Sequence, residues 1–143
     1  MPRKRSTELR YNTHRKRNSH SDDVCDFCNF TVELKQIVAE TKHFWISDNI
    51  FPYDLWDDHE VAEHLIVVPK QHTESIQTFG TEQKTEFVDI LGAYETDGYS
   101  IYARAPSNKS KTVPHQHTHL IKLQGTAKRI RIHTVKPYFL WYK

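Results

Sequence analysis

Three histidines, His115, His117 and His119, alternate with single residues in the segment VPHQHTHLI, residues 113–121. In an extended strand, alternate residues share one face, with their Cα atoms roughly 6.5–7 Å apart. Three kinds of chemistry suit imidazoles in that array. They could ligate a metal, although three same-face residues on a flat strand span too far for one small cation. They could form a polar exposed face. Or the central imidazole could attack a substrate while its neighbours hold anionic oxygens. A second cluster lies upstream, where the chain's two cysteines form Cys25-Asp-Phe-Cys28. In an intracellular chain this spacing favours metal or redox chemistry over a structural disulfide. A redox pair would want a βαβ context and an activated thiol, which nothing around Asp26-Phe27 indicates. Two inert thiols are the plain alternative. Two thiolates with two imidazoles would close a tetrahedral site, and ligand type favours zinc over iron or copper there.

These residues need a scaffold to position them. The segments 35–39 and 43–49 are rich enough in apolar and β-branched residues to be strands, with a hairpin turn at 40–42. Residues 25–34 read as a turn and short helix. Residues 50–62 are acidic and aromatic and read as a loop, and the apolar run HLIVVP, residues 64–69, suits a central strand. A helix is expected over 82–95, with Phe87, Ile90, Leu91 and Tyr94 on one face, Thr81 as its cap and Gly98 in the turn beyond. Residues 99–105 and 113–123 alternate as strands, and 129–135 with 138–142 supply further strand material. The pattern is α+β, an antiparallel sheet with one main helix.

A length of 143 residues supports one domain, and 37% hydrophobic content is enough for a packed core. No stretch approaches the roughly 20 apolar residues of a membrane helix. The start is basic and polar without the apolar region of a secretory signal, so a cytoplasmic location is expected. The net charge of +2 hides an asymmetry. Residues 1–23 hold seven Lys/Arg against three acids, which leaves thirteen bases against fifteen acids in the remainder. That segment has almost no apolar residues to offset its ordering entropy, so it reads as a disordered basic arm ahead of a domain at 24–143. Contact with nucleic acid is the functional reading of the arm, and a solubilising tail the bland one.

The segment His115-Gln116-His117-Thr118-His119-Leu120-Ile121 resembles the signature of the histidine triad (HIT) proteins. Thr112-Val113 is similar to the family's Ser/Thr-Val step, and the stretch from His64 to His72, HLIVVPKQH, to its strand ending in Pro-Lys-x-His. Asn49-Ile-Phe-Pro52 resembles the step near the ribose, and Cys25–Cys28 the N-terminal Cys-x-x-Cys of many bacterial-type members. The resemblance covers about residues 24–123, with the motifs in the family's order. It implies a HIT-like fold and a nucleotidyl hydrolase or transferase acting on nucleoside phosphoramidates or dinucleoside polyphosphates.

On that resemblance, His117 attacks the α-phosphorus to give a nucleotidyl-histidine, and His119 holds the phosphate oxygens. Thr112 contacts the phosphate or the departing atom, Asn49 the ribose, and Asn108 and Lys111 the phosphate. It also nominates His72 and His115 as partners of Cys25 and Cys28 on a structural zinc, and implies a homodimer and a purine nucleotide substrate. His43, His59 and His64 are runner-up ligands, and His14, His20 and His133 read as solvent residues. The chain departs from the family pattern at Ser110-Lys111, where Gly-Gln is usual, and at Glu63, where Gly is usual. An alternative function is a nucleotide- or RNA-binding module on the same scaffold, with weak or no catalysis.

Overall fold

A computed structural model describes residues 3–18, 25–126, 132–135 and 139–142. The elements are α1 (Arg5–Asn18), β1 (Ile37–Glu40), β2 (Phe44–Asp48), β3 (Leu55–Trp56), β4 (His59–Pro69), α2 (Thr81–Thr96), β5 (Tyr99–Ala103) and β6 (Thr118–Gln124). A separate antiparallel pair, β7 (Ile132–Val135) and β8 (Phe139–Tyr142), follows. The main sheet runs in the order β1-β2-β4-β6-β5, with β3 paired to β4, and every pairing is antiparallel. The expected α+β class is therefore observed. No helix among the described residues is long and apolar enough to cross a membrane.

Register decides which side chains reach which face. Leu65 pairs with Leu120, and Ile66 with His119, on β4 and β6. Because side chains alternate, Leu65, Val67 and Leu120 point to one face and His64, Ile66 and His119 to the other. The first set joins Phe44, Ile46, Phe79, Phe87 and Tyr99 in the core, with Ile90, Leu91 and Tyr94 of α2 packed against it. A slip of one residue would drive the histidines into this apolar layer, so the core itself enforces the register of the site. Residues 64–69 are buried on both faces, as a central strand requires. Ile46 is 2% exposed within this layer. Ile46→Val is expected to lower stability by about 1 kcal/mol, seen as a lower urea midpoint at an unchanged slope.

Three local expectations differ from the structure. The segment 50–62 is not all loop: β3 and the start of β4 form a hairpin around Asp57 and Asp58, whose φ angles are 46° and 68°. A two-residue turn of this hand needs positive φ at both central positions, and Asp tolerates that region better than most residues. Trp56 holds the hairpin down, with its ring 5.8 Å from Tyr53 and 5.0 Å from Tyr102. Helix α2 begins at Thr81 itself, with Gly80 at the cap position and no side-chain capping hydrogen bond. In the N-terminal segment, Arg5–Asn18 form α1 where a disordered arm was expected. The reason is tertiary, since Tyr11 and His14 lie 5.4 Å and 5.2 Å from the ring of Phe51. Of the expected C-terminal strand material, residues 129–131 and 138 lie outside the described residues.

Candidate active site and metal centre

His119 lies in β6, whereas His115 and His117 precede the strand and are not part of it. The segment is pinned from the side, where the Gln116 N–H donates to the Thr73 carbonyl at 2.6 Å. The triad is thereby divided. His115 turns toward the cysteines, while His117 and His119 line a cavity of about 520 Å³. All three are buried, as expected for a built site and not for a polar exposed face.

The hydrogen bonds assign which nitrogen of each ring carries the proton. His117 Nδ1 lies 2.8 Å from the His115 carbonyl, which can only accept, so Nδ1 carries the proton and Nε2 keeps its lone pair. The Tyr53 N–H donates to His64 Nδ1 at 3.0 Å, so the proton of a neutral His64 sits on Nε2. His64 Nε2 then donates to His119 Nδ1 at 2.9 Å. His119 in turn carries its proton on Nε2, the one buried side-chain nitrogen or oxygen without a hydrogen-bond partner among the described residues. A donor so placed can bond an acceptor that enters the cavity. Burial, reinforced by nearby charges, lowers the pKa of His64 to about 3 and of His119 to about 2. Burial also lowers that of His117. All three rings are neutral at neutral pH, as the proton assignment requires.

These lowered values carry a stability consequence. Below pH 6.5 the unfolded chain protonates His64 and the folded chain does not, so stability falls as the pH drops from 6.5 toward 3. His64 alone is expected to cost about 1.4 kcal/mol at pH 5.5 relative to alkaline pH. Urea unfolding at several pH values checks this, because a His64→Asn variant must lose stability less steeply on acidification. Parallel slopes in the two proteins would sink the idea.

Asn49 lines the cavity, held by the Phe51 N–H donating to its Oδ1 at 2.9 Å. Thr112 also lines it and receives the Tyr11 hydroxyl at 2.9 Å. Phe27, Phe30, Leu34 and Ile50 supply apolar wall. The structure does not bring Asn108 or Lys111 to the cavity. Asn108 Oδ1 accepts from the Ser110 N–H, and Lys111 Nζ donates to the Glu74 carbonyl at 3.0 Å. Instead it contributes Arg3, Tyr11, His14, Tyr53 and Arg104, which the sequence did not single out for this role. His14, read as a solvent residue, faces Asp26 at 3.8 Å. A runner-up ligand in the sequence, His64 is instead hydrogen-bonded to His119. His43 is hydrogen-bonded through Nδ1 to Glu86, and His59 bonds the Asp57 carbonyl.

Cys25, Cys28, His72 and His115 place one donor atom each within 4.8 Å of one another, close enough to hold a metal ion. A tetrahedral zinc with Zn–S near 2.3 Å and Zn–N near 2.0 Å separates sulfur from nitrogen by about 3.5 Å. Cys25 Sγ lies 3.3 Å from His115 Nδ1, and Cys28 Sγ lies 3.2 Å from His72 Nδ1 and 3.6 Å from His115 Nδ1. His115 Nε2 donates to the Pro69 carbonyl at 2.9 Å, which leaves Nδ1 unprotonated toward the sulfurs. The residues fit a four-coordinate metal. The ring of Phe27, between the two cysteines in sequence, lies 5.8 Å from that of His115 and 5.2 Å from that of His117, so it bridges the cluster to the cavity.

The fold is that of the histidine triad proteins. Among solved structures it is similar to a HIT family hydrolase from Legionella pneumophila Philadelphia 1, at 24% identity and a TM-score of 0.52, covering 72% of this chain and 94% of that one. It is likewise similar to a HIT family hydrolase from Clostridium thermocellum, at 23% identity and a TM-score of 0.53, covering 73% and 92%. No family model and no curated protein matches the chain. The likeness in fold therefore stands beside the triad, the Cys-x-x-Cys and the Pro-Lys-x-His step, which carried the resemblance in the sequence.

Proposed function

We propose that the chain is a nucleotidyl hydrolase or transferase that works through a covalent nucleotidyl-histidine. The observation that carries this reading is the pairing in one cavity of two neutral imidazoles in opposite tautomers. His117 has its proton anchored on Nδ1 by the His115 carbonyl, and His119 has a free N–H on Nε2. One is a nucleophile, the other a fixed donor for the oxygens on which charge develops.

In the first step the His117 Nε2 lone pair forms a bond to the α-phosphorus, and the bond from phosphorus to the leaving group breaks with its electron pair on the leaving atom. An amine takes up a proton from water; a phosphate leaves as the oxyanion. In the second step a water oxygen attacks phosphorus, the N–P electron pair returns to His117, and the water gives up a proton. One water is consumed per nucleoside monophosphate released, and another acceptor in its place makes the reaction a transfer. The His117 Nδ1–H bond to the His115 carbonyl offsets the positive charge on the ring in the intermediate. His119 holds a phosphate oxygen, Asn49 the ribose hydroxyls, and Thr112 lies where the leaving atom departs.

Cys25, Cys28, His72 and His115 would hold zinc, which as a four-ligand structural ion supplies rigidity and not chemistry at phosphorus. The test is turnover of adenosine phosphoramidate and a dinucleoside polyphosphate, with intact-mass detection of the adduct after rapid acid quench. Turnover with an adduct on the protein supports the reading. Turnover without one at any quench time counts against the covalent intermediate.

A further inference from the structure

Two arginines meet on one tyrosine at the His119 side of the cavity. Arg3, just ahead of α1, places its guanidinium carbon 4.4 Å from the ring centre of Tyr11 and 4.9 Å from that of Tyr53. Arg104, just after β5, donates from Nη2 to the Tyr53 hydroxyl at 2.9 Å and lies 5.6 Å from the ring centre of Tyr102. Tyr53 and Tyr102 each pack 5.8 Å from the His119 ring. Both guanidiniums therefore stand beside the ring that offers its free N–H to the ligand.

Their charge is poorly compensated. Arg104 has no carboxylate partner among the described residues, and Arg3 has only Glu8, at 3.6 Å and half exposed. A guanidinium offers five N–H donors in a fixed fork that matches phosphate. Arg104 directs one bond at Tyr53, and Arg3 uses Nε on the Phe51 carbonyl at 3.1 Å. Both side chains line the cavity together with the neutral imidazoles of His117 and His119, and the carboxylates that share it are those of Asp26 and Asp48. Tyrosine stacking alone accounts for the position of each arginine, but it does not call for two of them on one wall of a cavity containing His117 and His119.

We propose that Arg3 and Arg104 form a clamp for a second anionic group on the substrate, next to the phosphate that His117 attacks. The inference rests on the nucleotidyl-transfer reading and deepens it: the preferred substrate carries an anionic leaving group, as in a phosphoanhydride, and not a neutral amine. When the anhydride P–O bond breaks, its electron pair leaves on an oxyanion that the clamp holds, and no proton is needed. Because Arg3 belongs to the N-terminal segment, the basic character of that segment becomes part of the substrate site.

The test compares kcat/KM for diadenosine triphosphate and adenosine phosphoramidate in full-length wild type, Arg3→Ala, Arg104→Gln and Arg104→Lys. Wild type is expected to prefer the triphosphate. Arg104→Gln is expected to lower kcat/KM on it by about 10- to 100-fold, so that its ratio to the phosphoramidate value falls about tenfold, with partial rescue by Arg104→Lys. Arg3→Ala, remote from the core, shifts the ratio in the same direction whatever Arg104→Gln does to folding. An equal loss on both substrates, or a wild-type preference for the phosphoramidate, overturns the clamp while leaving nucleotidyl transfer intact. Should neither substrate turn over, the transfer reading fails, and calorimetry with a non-hydrolysable triphosphate analogue and with AMP decides the clamp. Tighter binding of the analogue that depends on Arg3 supports it; equal affinities overturn it.

Discussion

Replacing His117 with alanine abolishes turnover of adenosine phosphoramidate, with kcat/KM falling by about 10³-fold or more, while the nucleotide still binds. Binding survives because groups that would hold base and ribose, such as Phe30, Leu34, Ile50 and Asn49, lie on other segments. The loss is large because no neighbour can take over the attack. His119 directs a protonated nitrogen at the cavity, and His64 keeps its own proton in the bond to His119. His119→Ala, which removes a donor and spares the nucleophile, is expected to cost less, about 10²-fold. Because His117 is 8% exposed, His117→Gln serves as the volume-matched control for folding. The measurement pairs steady-state turnover with calorimetric nucleotide binding. Full activity in either His117 variant would remove the nucleophile from this residue, whereas no turnover even by wild type, with nucleotide still bound, would leave a binding module as the better reading.

Much of this site was legible in the sequence because short-range patterns specify it. The apolar run 64–69 and the alternation through His119-Leu120-Ile121 set the central strands, and Phe87, Ile90, Leu91 and Tyr94 set the helix that covers them. Cys25 and Cys28 point by their spacing to metal or redox chemistry. His72 and His115 do not, because ten histidines compete for the role and only the resemblance chose these two. What remained hidden is tertiary. Asn108 and Lys111 flank Thr112 closely in sequence, but the loop bonds Asn108 N–H to the Ala105 carbonyl and Lys111 N–H to the Asn108 carbonyl, and neither side chain reaches the cavity.

Arg3 and Tyr11 sit in a segment whose polarity argues against order, and their contacts with Phe51 and Thr112 span 48 and 101 residues. No local pattern encodes such pairs. The Asp57-Asp58 turn was missed for a different reason, since it lacks the glycine that usually marks a turn with positive φ at both centres. The division of the triad was equally invisible. A period of two implies a shared face only while the chain stays in a strand, and β6 begins at Thr118, after two of the three histidines.

A Cys25→Ser, Cys28→Ser variant is expected to lose its bound metal, to melt about 10 °C lower, and to lose most of its turnover. Loss of metal follows from the donor set, since two imidazoles without thiolates retain half of a four-ligand site. The fall in melting temperature corresponds to about 3 kcal/mol in a domain of this size, modest beside a zinc finger because the apolar core between α2 and the sheet persists. Loss of turnover has a mechanical cause. The backbone carbonyl of His115 fixes the proton of His117, and Phe27 packs its edge against both rings, so releasing His115 from the cluster frees the tautomer and orientation of the nucleophile. A metal acting directly on substrate through the three histidines predicts the reverse pattern, with metal retained in the serine variant and catalysis tracking metal content. Elemental analysis, thermal melting and turnover on the same preparation separate the two. Metal retained by the double variant would sink the four-ligand assignment, and metal lost with kcat untouched would sink the link from the cluster to His117.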